Sequence, residues 1–174
     1  MAAEQPSMDV AQLVADHHES VYRYAFRLCG SAADAEDLTQ QTFLAAHRSL
    51  GQLREPASAR SWLWAILRNC FLKELRRSGP VPAADLNLDL DAIPGELPDE
   101  VEIDQERLQE ALGELPEVFR LVVVMYYFED CSYREIAERL DMPIGTVMSR
   151  LARAKGHLRT KLAEPATEGI GDRG

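Results

Sequence analysis

One stretch of this chain cannot be built into a packed core, and it divides everything else. Residues 81–112 carry ten acidic side chains and a single basic one. The run GPVPAADLNLDLDAIPGELPDEVEID, residues 79–104, contains four prolines as well. Desolvating so many like charges costs far more than a few leucines return, so the segment is expected to stay a flexible acidic linker. The flanks are balanced. Residues 1–80 hold nine acids and nine bases, and residues 113–174 hold ten acids and nine bases. The net charge of -10 over 174 residues therefore sits almost wholly in the tether. The expected layout is a body over 9–78, a linker over 79–106, a second body over 107–163 and a disordered tail over 164–174. Both bodies read as helical, so the fold class is all-α: two small helical domains joined by a flexible acidic linker.

In the second body the chain reads SYREIAERLDMPIGTVMSRLARAK from Ser132 to Lys155. Ser132 suits an N-cap, and Glu135 three residues later completes a capping box. Ile136, Ala137 and Leu140 then fall on one helical face. Pro143 ends that helix and opens the next, where its missing N–H is not needed. The next helix has an apolar stripe of Ile144, Val147, Leu151, Ala154, Leu158 and Leu162, expected to be buried. Its opposite face carries Gly145, Ser149, Ala152, Arg153 and Gly156, flanked by Arg150 and Lys155. Between Met142 and Ala163 there are five basic residues and no acidic one. So thin a face lets a helix sink into a groove about 12 Å wide, with cations reaching phosphates on either wall. A helical hairpin with a solvated basic face shows the same periodicity. The capping box, the proline after a short turn and the thin basic face favour a helix-turn-helix that reads duplex DNA.

The first body reads as a helical bundle. Leu13, Val14, Val21, Tyr24, Ala25 and Leu28 trace one buried side, and Gly30 ends that helix. Ser31 and Asp34 signal a new start, and Leu38, Thr42, Ala46 and Leu50 line the next helix. Its exposed side carries Glu36, Asp37, Gln40 and Gln41. A third helix is expected from about Ser61 to Arg77. It mixes Trp62, Trp64 and Phe71 with Arg68, Lys73, Arg76 and Arg77, and Arg60 just precedes it. Aromatics that stack on bases beside cations that track the backbone suit single-stranded nucleic acid. A tryptophan on a helix also serves as core, which is the favoured reading for Trp62. Asn69 is an amide among apolar neighbours, either buried and satisfied or free to hydrogen-bond a base.

Other chemistry finds little footing. Cys29, Cys70 and Cys131 stand far apart with no CxxC, which suggests buried thiols in a reducing cytosol. His17 and His18 are adjacent and diverge on a helix, while His47 and His157 lack carboxylates at metal spacing. There is no GxSxG, P-loop or HExxH. The reading is a protein that is not an enzyme and uses no cofactor or metal. No signal peptide is visible, and LVVVMYYF is too short to span a bilayer. A cytoplasmic place with no membrane insertion follows as an expectation. A free chain at -10 should bind DNA weakly, because affinity grows with the phosphates neutralised.

These motifs, in this order, resemble the extracytoplasmic-function (ECF, group IV) sigma factors of bacterial RNA polymerase, in the sigma-70 family. DAEDLTQQTFLAA, residues 34–46, is similar to the family's polymerase-binding helix. RSWLWAILRNCFLKELRR, residues 60–77, is similar to its promoter-melting segment. LGELPEVFRLVVVMYYFEDCSY and SYREIAERLDMPIGTVMSRLARAK are similar to region four. The resemblance implies that Glu36, Asp37, Gln40 and Gln41 dock on core RNA polymerase, at the beta-prime clamp helices. Arg60, Trp64, Arg68, Asn69, Lys73, Arg76 and Arg77 would melt the minus-10 element and capture a flipped base. Thr146, Ser149, Arg150, Arg153 and Lys155 would read the minus-35 duplex. The beta flap, promoter DNA and an anti-sigma factor complete the implied partners. The chain departs from the family pattern at Gln41, where an acid is common, and at Asp141, where glycine is frequent. It departs again at Met148, where Lys or Arg is frequent, and at Ala152, where a larger residue is common. The other reading is a stand-alone helix-turn-helix regulator on operator DNA, which leaves the linker and the basic aromatic helix unexplained.

Overall fold

The computed structural model describes residues 8–79 and 104–164. Most of the expected linker and all but Glu164 of the expected tail lie outside the described residues. Contacts divide the chain into two compact units, Met1–Ala84 and Asp85–Gly174.

Among its described residues the first unit is built of three α-helices. Helix α1, Val10–Cys29, ends where Gly30 turns left-handed at φ 77, its N–H bonded to the Phe26 carbonyl. Only glycine adopts that conformation at no steric cost. One residue later Ser31 caps helix α2, Ala32–Arg48, by accepting the Asp34 N–H at 3.2 Å. Leu13, Val21, Ala25 and Leu28 of α1 close against Ala35, Leu38, Phe43 and Ala46 of α2. Thr39 and Thr42 are buried with them, their hydroxyls donating to the Ala35 and Leu38 carbonyls at 2.7 Å each. Those internal bonds remove the penalty of two buried hydroxyls. Leu50 does not extend α2 as the periodicity suggested. It opens a 3-10 turn, Leu50–Gln52, followed by a second, Pro56–Ser58. Helix α3, Ala59–Arg77, starts two residues ahead of the expected Ser61 and packs Leu63, Leu67 and Phe71 onto both α1 and α2. Val14 is only half-buried.

Among its described residues the second unit has four helices. Helix α4, Gln105–Glu114, is capped by Asp104 and begins before the expected domain start at 107, taking Gln105 and Glu106 from the linker side. Helix α5, Glu117–Phe128, buries every residue from Phe119 to Met125. A helix apolar all round belongs at a centre, and α7 packs along it. Arg120 is the exception in that run, at 7% exposure. Its guanidinium donates to the carbonyls of Leu112 at 2.8 Å, Gly113 at 3.1 Å and Leu115 at 2.8 Å. It thereby satisfies the C-terminal carbonyls that α4 cannot pair for itself.

Helix α6, Tyr133–Leu140, starts in the full capping box. Glu135 N–H donates to Ser132 Oγ at 3.2 Å, and Ser132 N–H donates to the Glu135 carboxylate at 2.8 Å. Asp141 takes the left-handed turn at φ 50, ψ 53, the geometry expected of a short acidic side chain standing in for glycine. Helix α7, Ile144–Ala163, then runs back across α4, α5 and α6. At its far end Arg107 of α4 donates to the Lys161, Leu162 and Glu164 carbonyls, a cation at a helix C-terminus. Val147, Leu151, Ala154 and Leu158 are buried as expected. Leu162 is half-buried, and Ile144 is a correction at 47% exposure. Of the three thiols expected to be buried, only Cys131 is. Cys29 and Cys70 are intermediate.

Candidate nucleic-acid and protein interfaces

On α7, Thr146, Ser149 and Arg153 recur at steps of three and four, so they share one strip on the side away from Val147, Leu151 and Leu158. Ser149 is exposed and Arg153 half-buried. Next to them, a Cβ placed on Gly145 would meet nothing within 4 Å, so the backbone there is open to close approach. Arg150 and Lys155 lean back toward the body of the unit. The Arg150 guanidinium lies 5.8 Å from the Phe119 ring centroid, and burial lowers its pKa from the usual arginine value. The Lys155 ammonium sits 4.9 Å from the Tyr126 centroid and 5.6 Å from that of Tyr127. These aromatic seats, worth about 0.5–1 kcal/mol each near a surface, hold the two cations at the flanks of the bare strip. The same aromatic group perturbs Tyr127: burial pushes its hydroxyl up to about 12, with Tyr126 and Tyr133 adding to the effect.

On α3 the expected set separates. Asn69 is exposed, not buried, and Lys73 and Arg76 follow it at helical spacing on the same outer side. Arg60 and Arg77 are exposed at the two ends. Arg68 is the correction: at 6% exposure it lies within the bundle and presents no cation to a phosphate backbone. Trp64 turns inward too. Its ring meets that of Tyr24 at 5.4 Å, Arg60 stacks on it at 5.2 Å, and its Nε1 is buried with no hydrogen-bond partner among the described residues. Trp62, favoured as core on sequence grounds, lies two turns before Asn69 on the outer face and is half-buried. Spacing was the available signal, since residues 62, 69 and 76 repeat every seven.

On α2, Glu36, Asp37 and Gln40 are exposed as expected. Gln41 is exposed but engaged, its amide donating to the Glu74 carboxylate of α3 at 2.7 Å. Beside this face the structure adds what the sequence reading missed, an open groove of about 760 Å³ between α1 and α2. Val14, His18, Phe43 and His47 line it together with Glu36 and Gln40, and Leu44 stands 57% exposed at its rim. Leucine at the position one turn after Gln40 was the hint, because it breaks an otherwise polar face.

Among the described residues, no three His, Cys, Asp or Glu side chains gather as a metal site, and no helix is long and apolar enough to cross a membrane. His157 Nε2 lies 3.1 Å from Glu114 without forming a hydrogen bond, and Lys161 pairs with the same carboxylate at 3.2 Å.

Known proteins share this arrangement. Residues 13–80 match the family model for sigma-70 region 2, and residues 105–158 match that for sigma-70, region 4. The ECF RNA polymerase sigma factor SigE of Mycolicibacterium smegmatis is 41% identical over 171 residues, covering 95% of this chain. The chain spans 65% of that relative's length. SigL of Mycobacterium tuberculosis is 38% identical over 156 residues, covering 86% of each chain. Among solved structures, the sigma factor RpoE of Bartonella quintana, in complex with the anti-sigma factor NepR, shares the fold at a TM-score of 0.62. It has 24% identity and covers 87% of this chain and 95% of that one. With both regions matched in order and SigL matched over 86% of its own length, the chain belongs to the ECF RNA polymerase sigma factors of the sigma-70 family.

Proposed function

We propose that this chain is an alternative sigma factor. It binds core RNA polymerase, carries it to promoters and starts transcription, with no catalysis of its own and a place in the cytoplasm. The observation that carries the reading is the pair of matched regions on one chain, each with a bare polar helix face. In this reading the α2 face of Glu36, Asp37 and Gln40 docks on the beta-prime clamp helices. Gln41 joins only by releasing Glu74, which it holds at 2.7 Å in the free chain. The outer face of α3, with Asn69, Lys73 and Arg76 and with Arg60 and Arg77 at its ends, takes the non-template strand of the minus-10 element. Extruding one base from the stack costs a few kcal/mol, which a pocket beside Asn69 must offset. Arg68 drops out of that set because it is buried, while Trp64, half-buried against Tyr24, stays at its edge.

The α7 strip of Thr146, Ser149 and Arg153 enters the major groove of the minus-35 element. Arg150 and Lys155 reach phosphates from its flanks. An anti-sigma factor holds the chain inactive by covering the α2 face. The test is run-off transcription with bacterial core polymerase. Promoter-dependent starts are expected only when the chain is added. Failure to associate with core enzyme at micromolar concentration would sink the proposal. Replacing Asp37 and Gln40 together by Ala should weaken core binding and leave the helical signal unchanged. Free chain in a mobility shift should bind promoter DNA poorly, because the net charge of -10 repels phosphate.

A further inference from the structure

Ile144, Met148 and Ala152 recur every four residues along α7, so they form a second strip beside that of Thr146, Ser149 and Arg153. Ile144 is 47% exposed and Met148 50% exposed, the large aliphatic side chains that the second unit leaves uncovered among its described residues. The four-helix packing that buries Val147, Leu151 and Leu158 leaves this strip bare. It lies in the first half of the helix, the part of a recognition helix that meets base edges. Gly145, with open space around it, separates the strip's start from the polar one, so the two reach outward side by side.

We propose that Ile144 and Met148 read thymine in the minus-35 element by packing on the 5-methyl group. The inference rests on the reading of α7 as the duplex-reading helix. In the major groove the 5-methyl is the apolar mark that distinguishes thymine from every other base, and an aliphatic side chain recognises it. A Lys or Arg at 148 would instead seek the acceptors of guanine. The chain's specificity at this step therefore shifts from guanine toward thymine. A protein partner for the same strip is disfavoured by its surroundings. It continues without a break into Ser149 and Gly145, and no acidic residue stands between Met142 and Ala163 to repel a phosphate backbone. Arg150 and Lys155 bracket the helix with positive charge.

The experiment uses holoenzyme assembled from the full chain and bacterial core polymerase. Promoters are first selected from a duplex pool randomised over the minus-35 element. Each thymidine of the selected element is then replaced singly by deoxyuridine, which deletes only the methyl. Transcript yield from the wild-type chain is expected to fall about four-fold at one or two positions, the worth of one buried methyl. That penalty should vanish in Met148→Ala or in Ile144→Ala and persist in Met148→Leu. If uridine is harmless at every position while a scrambled minus-35 element still abolishes starts, the methyl contact is wrong and the duplex reading stands. If the scrambled element is used as well as the selected one, both are wrong. If the uridine penalty survives in both alanine variants, another side chain reads the methyl and the assignment fails. Both residues are exposed, so the alanine variants should melt like the parent, which thermal unfolding checks.

Discussion

Helices α3 and α7 are both basic, both nearly twenty residues long and both candidates to touch DNA, yet they offer their cations differently. Helix α3 is packed against α1 and α2 together; the bundle buries Arg68 and half-buries Trp64 against Tyr24. What remains outside is a strip of isolated polar groups around Asn69. Helix α7 is covered along one face by α4, α5 and α6, and its other face is left thin. Two of its cations, Arg150 and Lys155, sit over aromatic rings at the edges. A helix that must enter a groove needs one side of small residues. A helix that only supports a strand beside it can spend a cation on packing, as α3 spends Arg68. The lesson is that basic residues on a helix divide by burial before they divide by function.

The largest effects concern the buried arginines. Arg120→Ala should destabilise the second unit by about 3 kcal/mol, because it removes the donor from the buried Leu112 and Leu115 carbonyls and the part-buried Gly113 carbonyl, and thermal unfolding reads this directly. Arg68→Ala should cost about 2 kcal/mol by removing a packed side chain. Its partner experiment, Lys73→Ala, should leave stability within about 0.5 kcal/mol while reducing the salt slope of promoter binding by about one. If Arg68→Ala changed the salt slope and Lys73→Ala did not, the division of α3 into inner and outer cations would be inverted.

Smaller effects sharpen the account of α7 and its turn. Ser132→Ala should cost about 1 kcal/mol, the usual worth of an N-cap. The bond from the Ser132 backbone N–H holds the Glu135 carboxyl below its ordinary value. A lowered folded pKa gives stability that is present above the unfolded value and is lost as pH falls through the folded one. Acid titration of the Glu135→Gln variant should therefore show a shallower loss than the parent. Smallest of all, Gly145→Ala should raise stability by about 0.5 kcal/mol or slightly more, since the added methyl meets nothing. The same change should weaken promoter binding, because it thickens the face that approaches DNA. Tighter binding would contradict the thin-face argument.

Much of this was legible from residue order. Capping pairs such as Ser31 with Asp34 and Ser132 with Glu135 are local, so three or four residues suffice to reveal them. Asp141 in the left-handed turn and Gly30 at the end of α1 are local in the same sense. The exposed residues Glu36, Asp37, Gln40 and Ser149 followed from periodicity, whereas Asn69 stayed open until the packing of α3 exposed it. Trp62 and Trp64 could not be sorted by composition, since both are large, aromatic and flanked by arginine. Gln41 looked like its polar neighbours, and its bond to Glu74 spans 33 positions in the chain. The groove beside α2 needs α1 to exist at all.

Sequence by itself determined that there are two helical bodies, that an acidic, proline-rich run lies between them in the chain, and that one helix of the second body keeps a face free of acids. These follow from short-range rules: charge that cannot be desolvated, caps that pair over three residues, and apolar repeats near 3.6. Tertiary structure alone decided which cations are spent inside, which rings hold Lys155, and that Ile144 and Met148 stay uncovered. A repeat specifies the face a helix will bury but not how far its neighbours extend along it, and that extent depends on contacts distant in the chain.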